Sequence, residues 1–595
     1  MEKRTLLAVV LSVLVISGYY VVQGIFFPPT PVVAGSSAEP RAGRSQEAPV
    51  PATASGVAEA PAEAGPVAEE RVSIETDLLE VTFTNIGGDV VSYKLKEHTE
   101  RGAPVEMILS GEKESHGFTL AFGDRADQPI RSLFTVQQLS DYTVAFYRDF
   151  TLRTNAEGVE ERFRLTKTYT FKPHEYMFEL TIRLDGGYTT PSFNFAGAAY
   201  TLAFGPQIGP QFEKLDQRYE YRHYYTYTNG KQKQEKVSDA APLKIMNRPI
   251  WAAIAGKYFV FIAVPYINQY DLEFSTQPEP GIPSASRLSV VRFPVNGSRT
   301  EDTYRFYLGP KNQESLAVYN NGDNGFNLRD MHLIKVANTS GFLAPLETVL
   351  KWILTFFYRI VPNYGVAILF LTLLVKIVLF PLTKKGSEAT LRMQALSPKV
   401  RDIQTKYKDN PTKMNAEMAE LYKKEGYNPL SGCLPMLLQL PIFIAMYNLF
   451  NNHFDLRGAL FIPGWIPDLS LPESVFTFAP FRLPLLGWSD IRLLPFIYVG
   501  SQLLYGKITQ TPDQQGNAQM KMMLYIMPIV FFFILYDVPS GLLLYWIASN
   551  LLSLVQQVAL NKYLAKKRAS MALAQPEPVI APKKKKKRSG KFSRT

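Results

Sequence analysis

The sequence predicts a two-part membrane protein: an all-β water-soluble domain followed by a bundle of membrane-spanning helices. Three observations predict it. The apolar residues are segregated, in one run at Leu6 to Phe27 and in several runs after Asn363. Between about Val72 and Leu308 the apolar residues alternate with period two, as strands of a half-buried sheet require. The 595 residues allow two or three domains, and the net charge of +11 gathers in segments flanking the apolar runs and in the tail, which reads first as topology.

The N-terminal run follows Lys3 and Arg4 and is longer than a cleaved signal core; Pro28 and Pro29 follow it. It predicts an uncleaved anchor over 1–27 with its N-terminus in the cytoplasm, Val32-Val33-Ala34 being a weak cleavage site. Residues 28–70 are rich in Pro, Ala, Gly, Ser and Glu; such a stretch cannot bury enough apolar area to offset chain entropy, and a flexible linker is expected. The β-domain is expected over 71–335. Phe178, Leu180, Ile182 and Leu184 alternate before Gly186-Gly187, and Leu79, Val81 and Phe83 before Gly87-Gly88. His98, His116, His174 and His223 are scattered without metal-ligand spacing, no nucleophile–base constellation is visible, and the aromatic run Tyr219 to Tyr227 reads as half-buried strand residues. The single cysteine, Cys433, excludes a disulfide framework. No cofactor or metal is expected.

Helical period returns over 342–361, where Leu346, Val349, Leu350, Ile353, Phe356, Phe357 and Ile360 share one face. This predicts an amphipathic helix along the outer interface. A helical core is then expected over 363–564. Its spans are predicted at 364–382, 428–450, 491–505, 520–536 and 542–560. Residues 384–426, with ten Lys/Arg and six Asp/Glu, predict a cytoplasmic helical hairpin broken at Asp409-Asn410-Pro411, where Asn410 can cap and Pro411 suits the first helical position. The basic tail, 565–595, is expected in the cytoplasm, where it meets ribosomal RNA or anionic lipid, or simply fixes topology.

One residue focuses the functional reading. Lys376 lies in NYGVAILFLTLLVKIVLFPL, Asn363 to Leu382, and a lysine deep in a span costs about 2.5–3.5 kcal/mol on insertion scales. None of the five core spans contains Asp or Glu. Three arrangements accommodate the ammonium: snorkelling past Pro381, a polar cavity open to the cytoplasm, or pairing with a phospholipid. On the last span Trp546, Asn550, Ser553 and Gln557 follow i, i+4, i+7, i+11 and form one helical face. With Thr372, one turn from Lys376, and Gln439 they either line a hydrophilic groove or make ordinary interhelical hydrogen bonds. The missing carboxylates and the lack of a doubled half weigh against a coupled transporter, and no GxxxxGK[ST] run is present. A scaffold anchored by its spans is the remaining alternative.

TLLVKIVLFPLTKK (Thr372 to Lys385), NPLSGCLPMLLQLPIF (Asn428 to Phe443) and VPSGLLLYWIASNLLSLVQQ (Val538 to Gln557) resemble the YidC-type bacterial membrane protein insertases. The order of anchor, β-domain and core with hairpin agrees. The resemblance implies a periplasmic β-supersandwich similar to sugar mutarotases, a five-span insertase core in the bacterial inner membrane, both termini cytoplasmic, and no catalysis. It implies nascent membrane proteins as substrates, the Sec translocon as a partner, and function as a monomer. The family's groove cation, usually arginine, falls on Lys376; its polar lining on Thr372 and Gln439; its substrate-contacting aromatic on Trp546.

Overall fold

The computed structural model describes residues 54–59, 68–100, 102–154, 160–187, 192–205, 208–209, 220–238, 241–267, 269–276, 286–337, 343–426, 434–479, 481–483, 487–509 and 518–573. The predicted anchor, most of the linker, the cap at Asn428-Pro429 with Cys433, and the lysine-rich end of the tail lie outside these residues. The chain divides into two compact units, 1–345 with 451–458, and 346–450 with 459–595.

The first unit is β-rich. A ten-stranded antiparallel sheet runs in the order Ala54–Glu59, Thr143–Thr154, Glu160–Phe171, Met177–Gly186, Arg299–Pro310, Phe259–Pro265, Trp251–Ala255, His223–Thr228, Lys231–Glu235, and Thr135–Ser140 also pairs with Thr143–Thr154. A four-stranded sheet begins at Arg71–Glu75, and a five-stranded sheet includes Tyr200–Phe204. Both face the large sheet. Phe83 packs on Tyr169 at 4.8 Å, and Phe204 stacks on Phe261 at 3.8 Å. The alternation at Phe178 to Leu184 becomes the strand Met177–Gly186 with those four side chains buried. The strand Ala54–Glu59 corrects the reading of all of 28–70 as a flexible linker. It joins the edge at Phe150 to Thr154, and an edge strand is held by main-chain bonds that composition does not reveal.

The sheets also enclose charge. Lys167, fully buried, donates to Asp89 Oδ1 at 2.8 Å and to the carbonyls of Gly87 and Phe118. Three acceptors thus satisfy one ammonium, as burial demands. Phe454, in the short segment 451–458, packs against His98 and Phe259.

The second unit is helical. Beyond α1 (Gln313–Asn321), which belongs to the first unit, its helices are α2 (Ala344–Ile360), α3 (Tyr364–Lys406), α4 (Pro411–Lys424), α5 (Leu434–Asn452), α6 (Leu494–Thr509), α7 (Ala518–Leu535) and α8 (Ser540–Leu573). Among the described residues, Tyr364–Gly386 and Ser540–Tyr563 are long and apolar enough to cross a membrane, and Tyr525–Leu535 is a shorter apolar stretch. The break at Asp409 to Pro411 forms where expected, with Asn410 Oδ1 accepting from Lys413 N at 3.0 Å. The span predicted at 364–382 and the first helix of the hairpin after it form one continuous helix: α3 continues through Pro381 and Pro398. Near Pro381 the Thr383 hydroxyl donates to the Leu379 carbonyl at 3.1 Å. Likewise α8 runs past residue 565 into the predicted tail, ending at Leu573.

The described residues between α5 and α6 are tied to the helices they join. Ser540 and Gly541 donate their backbone N–H to the carbonyls of Leu471 and Leu469, which satisfies donors that open a helix. Glu473 accepts from Leu494 N at 2.6 Å and does the same for α6. Gly365 is required where Phe461 lies on α3, since a Cβ there would come within 2.0 Å of its ring. On α2, Val349, Trp352, Phe356 and Ile360 are exposed, whereas Glu347, Leu350 and Leu354 are buried. The buried carboxylate accepts from Asn448 Nδ2 of α5 at 2.7 Å.

Candidate functional site

The candidate site is built by α3, α5, α6 and α8. α3 is set by its cap: Asn363 Oδ1 accepts from Val366 N at 3.1 Å. Lys376 follows four residues after Thr372, on the same face. Thr372 is buried and its hydroxyl donates to the Ile368 carbonyl of its own helix at 2.6 Å, so it presents little polarity beyond α3.

Lys376 is half-buried, and its Nζ donates to Ser553 Oγ of α8 at 2.7 Å. Ser553 Oγ in turn donates to the Ser549 carbonyl at 2.7 Å, so the hydroxyl is oriented with its lone pairs toward the ammonium. No carboxylate among the described residues pairs with Lys376. One turn before Ser549, Trp546 is buried, stacked on Phe443 of α5 at 5.2 Å and 4°, and 5.9 Å from the ring of Tyr498 of α6. Its indole N–H has no hydrogen-bond partner among the described residues.

Asn550 donates to Ser501 Oγ of α6 at 3.0 Å, and Ser501 donates to the Tyr498 carbonyl at 2.7 Å. Gln557 donates to Asn561 Oδ1 at 3.0 Å on the exposed continuation of α8. Gln439 is half-buried on α5. The structure therefore joins Lys376 to Ser553 directly and ties the stripe of α8 to α6 through Asn550. Ser501, Tyr498 and Phe443 were missed by sequence reasoning. The signal for the first was available, since Gly500-Ser501-Gln502 interrupts an otherwise apolar run.

Residues 356–567 match the family model described as 60Kd inner membrane protein, and residues 71–330 match that of the YidC periplasmic domain. The membrane protein insertase YidC of Treponema denticola is 45% identical over 584 residues, covering 95% of this chain and 100% of that one. The chain belongs to the YidC family of membrane protein insertases. The YidC of Treponema pallidum is 37% identical, covering 94% of this chain and 99% of its own. Membership makes the chain an integral protein of the inner membrane, and a non-catalytic one, with a β-rich domain and a helical core. Lys376 carries its charge without the planar fork by which an arginine clamps a carboxylate with two bonds.

Proposed function

We propose that this YidC-family chain inserts and folds nascent membrane proteins through a hydrophilic groove within the membrane, lined by Lys376, Thr372, Gln439, Trp546, Asn550, Ser553 and Gln557. In this reading α3, α5, α6, α7 and α8 are the five core spans, residues 1–27 the anchor, and the end of α3 with α4 the cytoplasmic hairpin. The β-domain stands in the periplasm and both termini in the cytoplasm. A hydrophilic segment enters from the cytoplasm, drawn by Lys376; the polar stripe lowers its desolvation cost, and the adjacent apolar segment moves into lipid. Burial of the substrate's apolar surface, at roughly 25 cal/mol per Å², drives the step. The Sec translocon is an optional partner, the basic tail meets the ribosome, and a single copy suffices.

The observation that carries the reading is the bond from Lys376 to a serine hydroxyl at 2.7 Å, with no acid among the described residues in salt-bridge contact. A cation held only by a neutral acceptor keeps its charge available. The test is reconstitution in proteoliposomes with a single-span substrate whose N-terminus is acidic. Lys376→Arg should support insertion and Lys376→Glu should abolish it; equal insertion by Lys376→Glu would refute the role of the charge. Retained insertion after deletion of most of the β-domain would separate this reading from that of an anchored scaffold.

A further inference from the structure

The large sheet ends at the strand Lys231–Glu235, and the loop that precedes its third strand from that edge carries an unusual tip. Met246 is 76% exposed, the highest value among the described large hydrophobic residues, and Ile250 is 41% exposed. Single exposed apolar residues need no explanation; these two flank a cation. Arg248, between them, is exposed and adopts φ 45°, a left-handed conformation uncommon outside glycine. Its guanidinium lies over the Phe293 ring at 5.5 Å.

The hairpin and the loop meet. Ile250 N donates to the Tyr227 carbonyl at 2.7 Å, and Lys335 Nζ donates to the Gly230 carbonyl of the hairpin turn at 2.7 Å while lying over the Tyr227 ring. Lys231 is exposed on the first residue after that turn. Of the acids near this edge, Glu235 is engaged by Lys233 at 2.8 Å. The same edge carries the short helix Leu333–Ala337, and only residues 338–343 separate it from α2, whose exposed face bears Trp352 and Phe356.

We propose that the Met246–Ile250 loop, with Arg248, Lys231 and Lys335 around it, is a docking surface for anionic lipid headgroups. The apolar tips enter the headgroup boundary and the cations hold the surface charge, the combination by which peripheral segments bind anionic leaflets. The proposal uses the family's membrane location and is independent of the groove.

The test uses the full chain in nanodiscs. Met246→Cys in a Cys433→Ser background carries an environment-sensitive fluorophore, and the lipids carry a headgroup-level quencher. Zwitterionic phosphatidylcholine is compared with phosphatidylcholine containing phosphatidylglycerol. Quenching is expected with the anionic lipid, several-fold weaker without it, and lost at high salt because exposed charges are then screened. Lys231→Gln, Arg248→Gln and Lys335→Gln together should weaken it several-fold in the anionic discs. A label at Leu139, which is exposed on Thr135–Ser140 at the other edge of the sheet, should stay unquenched. Equal quenching in both lipids, or none in either, overturns the proposal, as does shielding of Met246→Cys only when a soluble protein is added. Insertion assayed in the same lipids separates the two readings: normal insertion with an unquenched label removes docking alone, and quenching with failed insertion removes the groove mechanism alone.

Discussion

Ser553→Val asks whether the Lys376 site is wet or dry. The substitution removes the hydroxyl to which Lys376 Nζ donates, at 2.7 Å, and leaves the lysine in place. In a dry, packed site the ammonium would lose its acceptor, and hydrogen bonds to charged groups are worth about 1.5–3 kcal/mol. In a hydrated groove water takes the place of the hydroxyl, and the loss should fall near the roughly 0.6 kcal/mol average for interhelical polar pairs in membranes. The two cases differ by about 1–2 kcal/mol, which thermal unfolding resolves. The assay is a double-mutant cycle of Ser553→Val and Lys376→Met, measured on the reconstituted chain, with insertion followed in parallel. The expected coupling is under about 1 kcal/mol, with Ser553→Val retaining most of its insertion activity. A coupling above about 1.5 kcal/mol would refute the reasoning, because it would mean that water cannot reach the amine.

Three further outcomes follow from groups outside the groove. Lys167→Met leaves Asp89 buried without its principal partner and should destabilise the β-domain by about 3–5 kcal/mol in denaturant unfolding; a loss below about 1 kcal/mol would contradict the pairing. Asn448→Leu removes the donor to the buried Glu347 carboxylate and should cost about 1–3 kcal/mol, more than the double replacement with Glu347→Leu, since the double variant leaves no buried acid. Burial, with the nearby Arg457 guanidinium, lowers the His98 imidazole from 6.5 to about 4. Folding therefore keeps His98 neutral while the unfolded chain binds the proton, so stability is lost as pH falls from 6.5 towards 4. The ceiling is about 3 kcal/mol, nearer 1–2 after solvent screening. His98→Phe should flatten acid unfolding across that window.

Much of this architecture was legible because it rests on local rules. The alternation ending at Leu184, the Asn410-Pro411 break and the helix that carries the polar stripe are each fixed by period or capping, and each has its structural counterpart. What escaped depends on the partner. The strand Ala54–Glu59 owes its conformation to the free edge at Phe150 to Thr154. Ser501 matters because α6 packs where Asn550 points, and a span read alone does not say which helix it meets. The continuity of α3 escaped for a different reason. Residue 382 is where composition changes, but the backbone bonds of a helix do not depend on side-chain hydropathy, and Pro381 removes only the donor to the Ile377 carbonyl.

The choice of a serine as the partner of Lys376 bears on how a groove could work. Two unit charges at 4 Å attract by about 4 kcal/mol at an effective dielectric of 20. An aspartate at position 553 would impose that attraction permanently, and an acidic residue on a passing segment would have to compete with it. A serine hydroxyl imposes roughly the 0.6 kcal/mol of an interhelical hydrogen bond, so an incoming carboxylate displaces it at little cost and leaves as readily. Lysine fits the same requirement. A single ammonium attracts without the two-point geometry of a guanidinium, which would hold a carboxylate longer. Ser553→Asp should therefore impair insertion of an acidic segment more than Ser553→Val, even though it strengthens the bond to Lys376, and the reverse order of activities would separate charge availability from function.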